Sequence, residues 1–173
     1  MSAAHAAQMT SAQIVAPIGE PRAAADLDAG FILATVEVKG DPERVFHALA
    51  SREVTDWWGR PGVFDTRTWE GDVSIGGRWL ASGVGPAGPY SLKGEFIEVD
   101  VPRRLVQTWN DPQWPDSTST FSYDLTPTPI GTRITLRHQG AFALPIVCAN
   151  TCLGWESSFV RLAELFARKT PRD

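Results

Sequence analysis

From Phe31 to Val38 apolar and polar positions alternate, with Ile32, Ala34, Val36 and Val38 on one side and Thr35 and Glu37 on the other. This is the period of a half-buried strand. Asp41 then supplies an N-cap side chain, Pro42 suits the first helical position and Glu43 complements the positive end of the helix dipole, so a short helix is predicted to about Ala50. Ser51 offers a second N-cap, and Val54, Trp57 and Trp58 follow at i, i+3 and i+4. Two short helices are thus expected end to end.

Beyond Gly59 short alternating runs take over: Phe64 to Trp69, Gly77 to Val84, Tyr90 to Val99, Arg104 to Trp109, Ser119 to Thr126 and Thr132 to His138. Gly-Asp at 71 and 72, Gly-Pro-Ala-Gly-Pro at 85 to 89, Asp-Val-Pro-Arg at 100 to 103 and Pro-Ile-Gly at 129 to 131 separate them. Short strands joined by such turns predict an antiparallel meander. The longest link, Asn110 to Ser117, holds two Pro and Trp114 and is expected to be an exposed loop available for function.

From Pro145 onward Cys148, Cys152, Trp155, Phe159, Leu162 and Phe166 recur at spacings of 4, 3, 4, 3 and 4, which is one helical stripe. Glu156, Arg161, Glu164 and Arg168 occupy the other side. The only partner large enough for that stripe is the apolar face of the sheet. Strand, two short helices, six strands and a long helix make an α+β arrangement, and no internal repeat interrupts it.

Composition narrows the class. The chain has 173 residues, 43% hydrophobic and 21% charged, enough for one core that needs no disulfide or metal staple. This excludes a disordered chain, a disulfide-rich miniprotein and a fibre. A net charge of -4 argues against nucleic-acid binding. Residues 1–26 lack a basic n-region and a long apolar run, so no signal peptide is expected there, and no window reaches the ~20 apolar residues of a membrane span. A cytoplasmic protein follows as the expectation, with a disordered or loosely packed tail over 1–28 and a single domain over 29–170.

Candidate chemistry is sparse. Cys148 and Cys152 lie four apart on one helix face with no nearby ligand partners, so buried structural cysteines are preferred over a metal or redox pair. No GxGxxG, P-loop, HExxH, GxSxG or Rieske-type Cys-His set occurs, so no cofactor or metal is expected. Gly83-Val84-Gly85-Pro86 precedes a strand, which makes it a hairpin turn and not a phosphate loop. Seven Trp against two Tyr and two Met is the unusual count. Trp favours places where an apolar body sits beside a polar or open space.

The run from Asp41 through Pro42, Glu43, Arg44, Val45, Phe46, His47 and Ala48 to Leu49 is followed by Trp57-Trp58, Gly76-Gly77-Arg78-Trp79 and Gly94-Glu95-Phe96-Ile97-Glu98-Val99. Then come Pro102 to Trp109, Gly131 to Leu136, His138 and Gly154-Trp155. In this order and spacing the chain, over about residues 31 to 168, resembles the AHSA-type branch of the SRPBCC (START-like, birch-pollen-allergen-like) superfamily. The branch takes its name from the C-terminal domain of the activator of heat shock protein 90 ATPase. The resemblance implies a helix-grip fold: a curved seven-stranded antiparallel sheet around a long C-terminal helix, two short helices after the first strand, and a cavity between sheet and helix. The superfamily includes carriers, polyketide cyclases, oxygenase catalytic domains and chaperone regulators, so fold alone does not assign function. Residues before Phe31 show no resemblance to the N-terminal domain of the chaperone activator.

In such a fold Phe46, Trp57, Trp58, Trp79, Phe96, Trp109, Phe121, Tyr123, Trp155 and Phe159 are expected at the cavity. Taken singly each is better read as a core aromatic, whereas the set points to a pocket, because Trp brings an indole N–H that needs a partner and packs poorly into a closed core. His138 continues the Ile134 and Leu136 face and is expected to point inward, as a candidate general base or ligand-orienting group. A satisfied core histidine is the preferred reading, because spacing assigns it no Ser, Cys or carboxylate partner. Glu95 and Glu98 are read as solvated edge carboxylates. The expected function is a small-molecule binding or carrier domain for an apolar or aromatic ligand. A protein-interaction module regulating a chaperone or other partner is the alternative, and a cyclase-like enzyme using His138 the third. Ligand identity and oligomeric state are open at this level.

Overall fold

The computed structural model describes residues 20–110, 118–140 and 145–168. Strand β1 (Arg22–Asp26) leads to β2 (Phe31–Val38), helices α1 (Pro42–Leu49) and α2 (Val54–Trp57), and strands β3 (Gly59–Arg60), β4 (Phe64–Gly71), β5 (Arg78–Gly85), β6 (Gly88–Asp100), β7 (Arg104–Asn110), β8 (Thr118–Thr128) and β9 (Gly131–Gln139). Helix α3 (Pro145–Ala167) ends the order. The strands form one antiparallel sheet in the order β1-β2-β9-β8-β7-β6-β5-β4-β3. Consecutive hairpins account for β3 through β9, while α1 and α2 carry the chain from β2 to the opposite edge.

The sheet has nine strands instead of the seven expected. The two additions are edge strands too short or too plain to announce themselves. Arg22–Asp26 is an Ala-rich run paired with β2 from Arg22 opposite Thr35 to Asp26 opposite Phe31. It is tied to α3 by the Ala23 N–H donating to Glu156 Oε1 at 2.9 Å. That strand lies within the 1–28 segment expected to be loosely packed, whose first 19 residues fall outside the described ones. β3 is only two residues long and pairs with β4 through Gly59 and Arg60. Of the loop expected at Asn110 to Ser117, residues 111–117, including Trp114, also fall outside the described ones.

Local chemistry explains the short helices. The Asp41 carboxylate accepts from the Arg44 N–H at 2.8 Å and Pro42 opens α1, satisfying backbone donors that the first turn leaves orphaned. α2 lasts a single turn, and Trp58 leaves it with extended backbone. The two tryptophans expected on one helical face therefore diverge. The Trp57 indole donates to the Ala48 carbonyl at 2.8 Å, while Trp58 meets Phe64, Trp79 and Trp109 edge-on at about 6 Å.

Helix α3 packs against β1 and β2 at one edge of the sheet and against β3 and α2 at the other, so the sheet curls around it. Its buried residues include Cys148, Trp155, Phe159 and Leu162, as the spacing predicts, with Cys152 and Phe166 partly buried beside them. Neither cysteine is in a disulfide, and burial with the neighbouring Cys148 and Glu156 pushes the Cys152 thiol up, away from the reactive thiolate. The sheet face beneath is closed by Phe96, Leu105, Phe121, Ile134 and Leu136, all at most 1% exposed. On the other face of β2, Glu37 is buried but paired, accepting from Thr128 Oγ1 at 2.6 Å and Arg133 Nη2 at 3.2 Å. Glu95 is exposed and Glu98 pairs with Arg104 at 3.1 Å, in keeping with solvated edge positions.

Candidate functional site

Between α3 and the segment running from α2 into β4, the sheet and helix do not fully interdigitate. A cavity of about 500 Å³ opens there, within the ~300–1,000 Å³ range of small-molecule sites. Trp58, Trp109 and Trp155 are its aromatic walls, joined by Phe64, Val63, Pro86, Val147 and Leu153. Asn150, Thr151 and Ser158 add hydroxyl and amide groups from α3, and Arg60 contributes the only charge among the described lining residues.

Two glycines set the shape of this space. Gly59 sits at φ +115°, a backbone that side chains disfavour, and a Cβ there would strike the Phe64 carbonyl. Its N–H donates to Ser158 Oγ at 2.9 Å and its carbonyl accepts from Arg161 Nη1 at 3.2 Å. This clamp fixes the short strand β3 to α3. Gly154 lies inside α3, where glycine costs roughly 0.5–1 kcal/mol relative to Ala. A Cβ at Gly154 would meet nothing within 4 Å, because the space above it is the cavity.

Of the eleven residues expected at the site, Trp58, Trp109 and Trp155 line the cavity. Phe46, Trp57, Trp79, Phe96, Phe121, Tyr123 and Phe159 are buried in the core away from its wall. Trp79 shows why: its indole donates to the Thr108 carbonyl at 3.0 Å across the sheet, so the polar end is satisfied inside the core. Trp57 does the same with Ala48. Phe121 and Tyr123 line a space of about 10 Å³ shared with Val54, Trp57, Trp58, Trp69 and Gln107.

His138 lies one layer behind the wall and is 2% exposed. Its ring stacks on Trp109 with centroids 5.2 Å apart. The Trp155 indole N–H donates to His138 Nδ1 at 3.0 Å, and Nε2 is 2.9 Å from Ser119 Oγ. An indole nitrogen is a donor only, so Nδ1 must accept and the proton of the neutral ring sits on Nε2, directed at Ser119. A nucleophile–base pair needs the reverse, with Nε2 accepting from the serine. Desolvation lowers the imidazole pKa to about 3, which keeps it neutral at physiological pH. The geometry therefore makes His138 a positioning residue for Trp155 and Trp109.

Sequence reasoning missed Ser119, Gly59, Gly154, Ser158 and Arg60. A glycine inside an otherwise strong helical stripe was the available signal for Gly154, since such a residue asks for a packing reason. Trp109 carries a further signature visible only in three dimensions: its indole N–H is buried without an acceptor among the described residues.

A larger groove of about 760 Å³ crosses β4 to β7 and is lined by Glu70, Asp72, Arg78, Lys93 and Glu95 among others. It carries charges of both signs, which is the character of solvated surface. Among the described residues no cluster of His, Cys, Asp or Glu could hold a metal ion, and no helix is long and apolar enough to cross a membrane.

The family model described as Activator of Hsp90 ATPase homolog 1-like protein matches residues 39–167. No curated protein matches the chain significantly. Among solved structures, protein Ms6760 from Mycobacterium smegmatis is similar at 24% identity and a TM-score of 0.69, covering 87% of this chain and 98% of its own. A Rhodobacter sphaeroides protein aligns at 19% identity and a TM-score of 0.71, covering 86% and 98%. Protein CV1439 from Chromobacterium violaceum aligns at 20% and 0.69, covering 81% and 99%. At these identities the likeness is one of fold.

Proposed function

Since the chain belongs to the Activator of Hsp90 ATPase homolog 1-like family of ligand-binding or regulatory domains, we propose that it is a small-molecule binding or carrier domain for an apolar or aromatic ligand. The ligand sits between α3 and the segment from Trp58 to Phe64. The observation that carries this reading is the Trp-walled cavity of about 500 Å³, kept open by a helical glycine whose Cβ would project into empty space.

Titration with a panel of lipids and polycyclic aromatics, read by quenching of indole fluorescence, tests it. Wild type is expected to saturate, because three indoles line the space. Gly154→Leu puts a side chain into the cavity, so it is expected to weaken binding at least about tenfold while circular dichroism and melting temperature hold or rise. Equal quenching curves for the two proteins would remove the cavity as the site.

A cyclase-like reaction is less well supported, because the Trp155 donor directs the His138 proton toward Ser119. Regulation of a chaperone is the second reading, and the charged groove across β4 to β7 is the surface that would serve it. Binding to heat shock protein 90 that ignores Gly154→Leu is the result that would favour it.

A further inference from the structure

The cavity is chemically lopsided. Acidic residues outnumber basic ones in the chain, 20 to 16, yet its described lining contains one guanidinium and no carboxylate. Arg22, Arg44, Arg67, Arg103, Arg104 and Arg133 each hold a carboxylate, whereas the Arg60 guanidinium, like those of Arg52, Arg78 and Arg168, makes no ion pair or hydrogen bond among the described residues, and of these four Arg60 alone lines the cavity. Its backbone is held in place: Gly59 before it is clamped to Ser158 and Arg161, and Arg60 pairs with Phe64 across β3 and β4. A second guanidinium, that of Arg161, is fixed on the Gly59 carbonyl one residue away. Trp109, on the same wall, has an indole N–H without an acceptor among the described residues.

Resting on the cavity-binding reading above, we infer that the ligand is an aromatic monoanion, a carboxylate or sulfonate on a ring system, with the rings among Trp58, Trp109 and Trp155 and the anion on Arg60. The three indoles supply apolar area and flat faces that suit an aromatic body. A guanidinium offers two parallel N–H groups that match a carboxylate or sulfonate edge, and such charge-assisted bonds are roughly twice as strong as neutral ones. A neutral ligand would leave Arg60 solvated and unused, and a cation would face the Arg60 guanidinium with no carboxylate among the described lining.

A matched pair of fluorescent probes separates the two parts of the inference: 1-anilinonaphthalene-8-sulfonate, which is anionic, and N-phenyl-1-naphthylamine, its neutral counterpart. Wild type is expected to bind the sulfonate more tightly, with an affinity that falls as salt rises. Arg60→Gln should weaken the sulfonate at least about tenfold and leave the neutral probe within twofold, while Arg52→Gln, away from the cavity, should change neither. If Arg60→Gln moves both probes equally or neither, the anion assignment is wrong while cavity binding stands. If neither probe saturates wild type, the assignment falls together with the binding reading beneath it.

Discussion

Acidification from pH 7 to pH 4.5 is expected to remove roughly 3 kcal/mol of folding stability through His138 alone. The ring is enclosed by Trp109, Phe121 and Trp155 and bonded to Ser119, and desolvation lowers its pKa to about 3. In the unfolded chain the imidazole regains its ordinary value of ~6.5. Between these values the unfolded state binds the proton and the folded state does not, so stability rises with pH and is lost as pH falls below about 6.5. Over the full window the loss is on the order of 3–5 kcal/mol, a large part of the ~5–15 kcal/mol typical of a domain. Urea denaturation at pH 7 and 4.5 reads it directly. His138→Gln is expected to be less stable at pH 7 but to lose roughly 3 kcal/mol less on acidification. Parallel losses in the two proteins would show that His138 is not the acid-sensitive group.

The second large effect is expected at Trp155. Its ring meets Phe121, Tyr123, His138 and Phe159 at centroid distances of 5.8 to 6.3 Å, and its N–H fixes the His138 tautomer. Trp155→Ala removes the packing and should cost about 3–5 kcal/mol. Trp155→Phe keeps most of the ring area but leaves His138 Nδ1 without its indole donor, for about 1–3 kcal/mol. The conservative variant is the informative one. With the indole gone, Nδ1 is free to carry the proton and Nε2 to accept from Ser119, and two-dimensional ¹⁵N spectra of the imidazole should show the tautomer shift. An unchanged tautomer in Trp155→Phe would mean that the indole does not set it.

Much of the fold could be read from periodicity, because burial imposes the period of each element. The 4, 3, 4, 3, 4 stripe of α3 and the alternation of β2 both mark real buried faces. What periodicity missed has physical causes. β1 is an Ala-rich edge strand that buries little of its own surface, and β3 is too short to have a period at all. α2 stops after one turn because Trp58 turns out toward Phe64 and Trp109, and no local propensity encodes that long-range packing.

The site was legible only in part, and the tryptophans show why. Excess indole marks places where a ring meets a polar partner, but for Trp57 and Trp79 that partner is a backbone carbonyl inside the core. Composition does not distinguish that from a wall of open space, which is where Trp58, Trp109 and Trp155 stand. The residues that shape the opening, Gly59, Gly154 and Ser158, act through backbone geometry and the absence of side-chain volume. Their partners lie up to 99 positions away in sequence, as Ser158 does from Gly59.

Native mass spectrometry of the chain isolated from its own host tests the central claim most directly. Wild type is predicted to carry one added small-molecule mass per chain, released on denaturation and missing from Gly154→Leu prepared in the same way. The same added mass on both proteins, or a wild type that stays unliganded even after incubation with a lipid and aromatic extract of the host, would contradict the cavity as a ligand site.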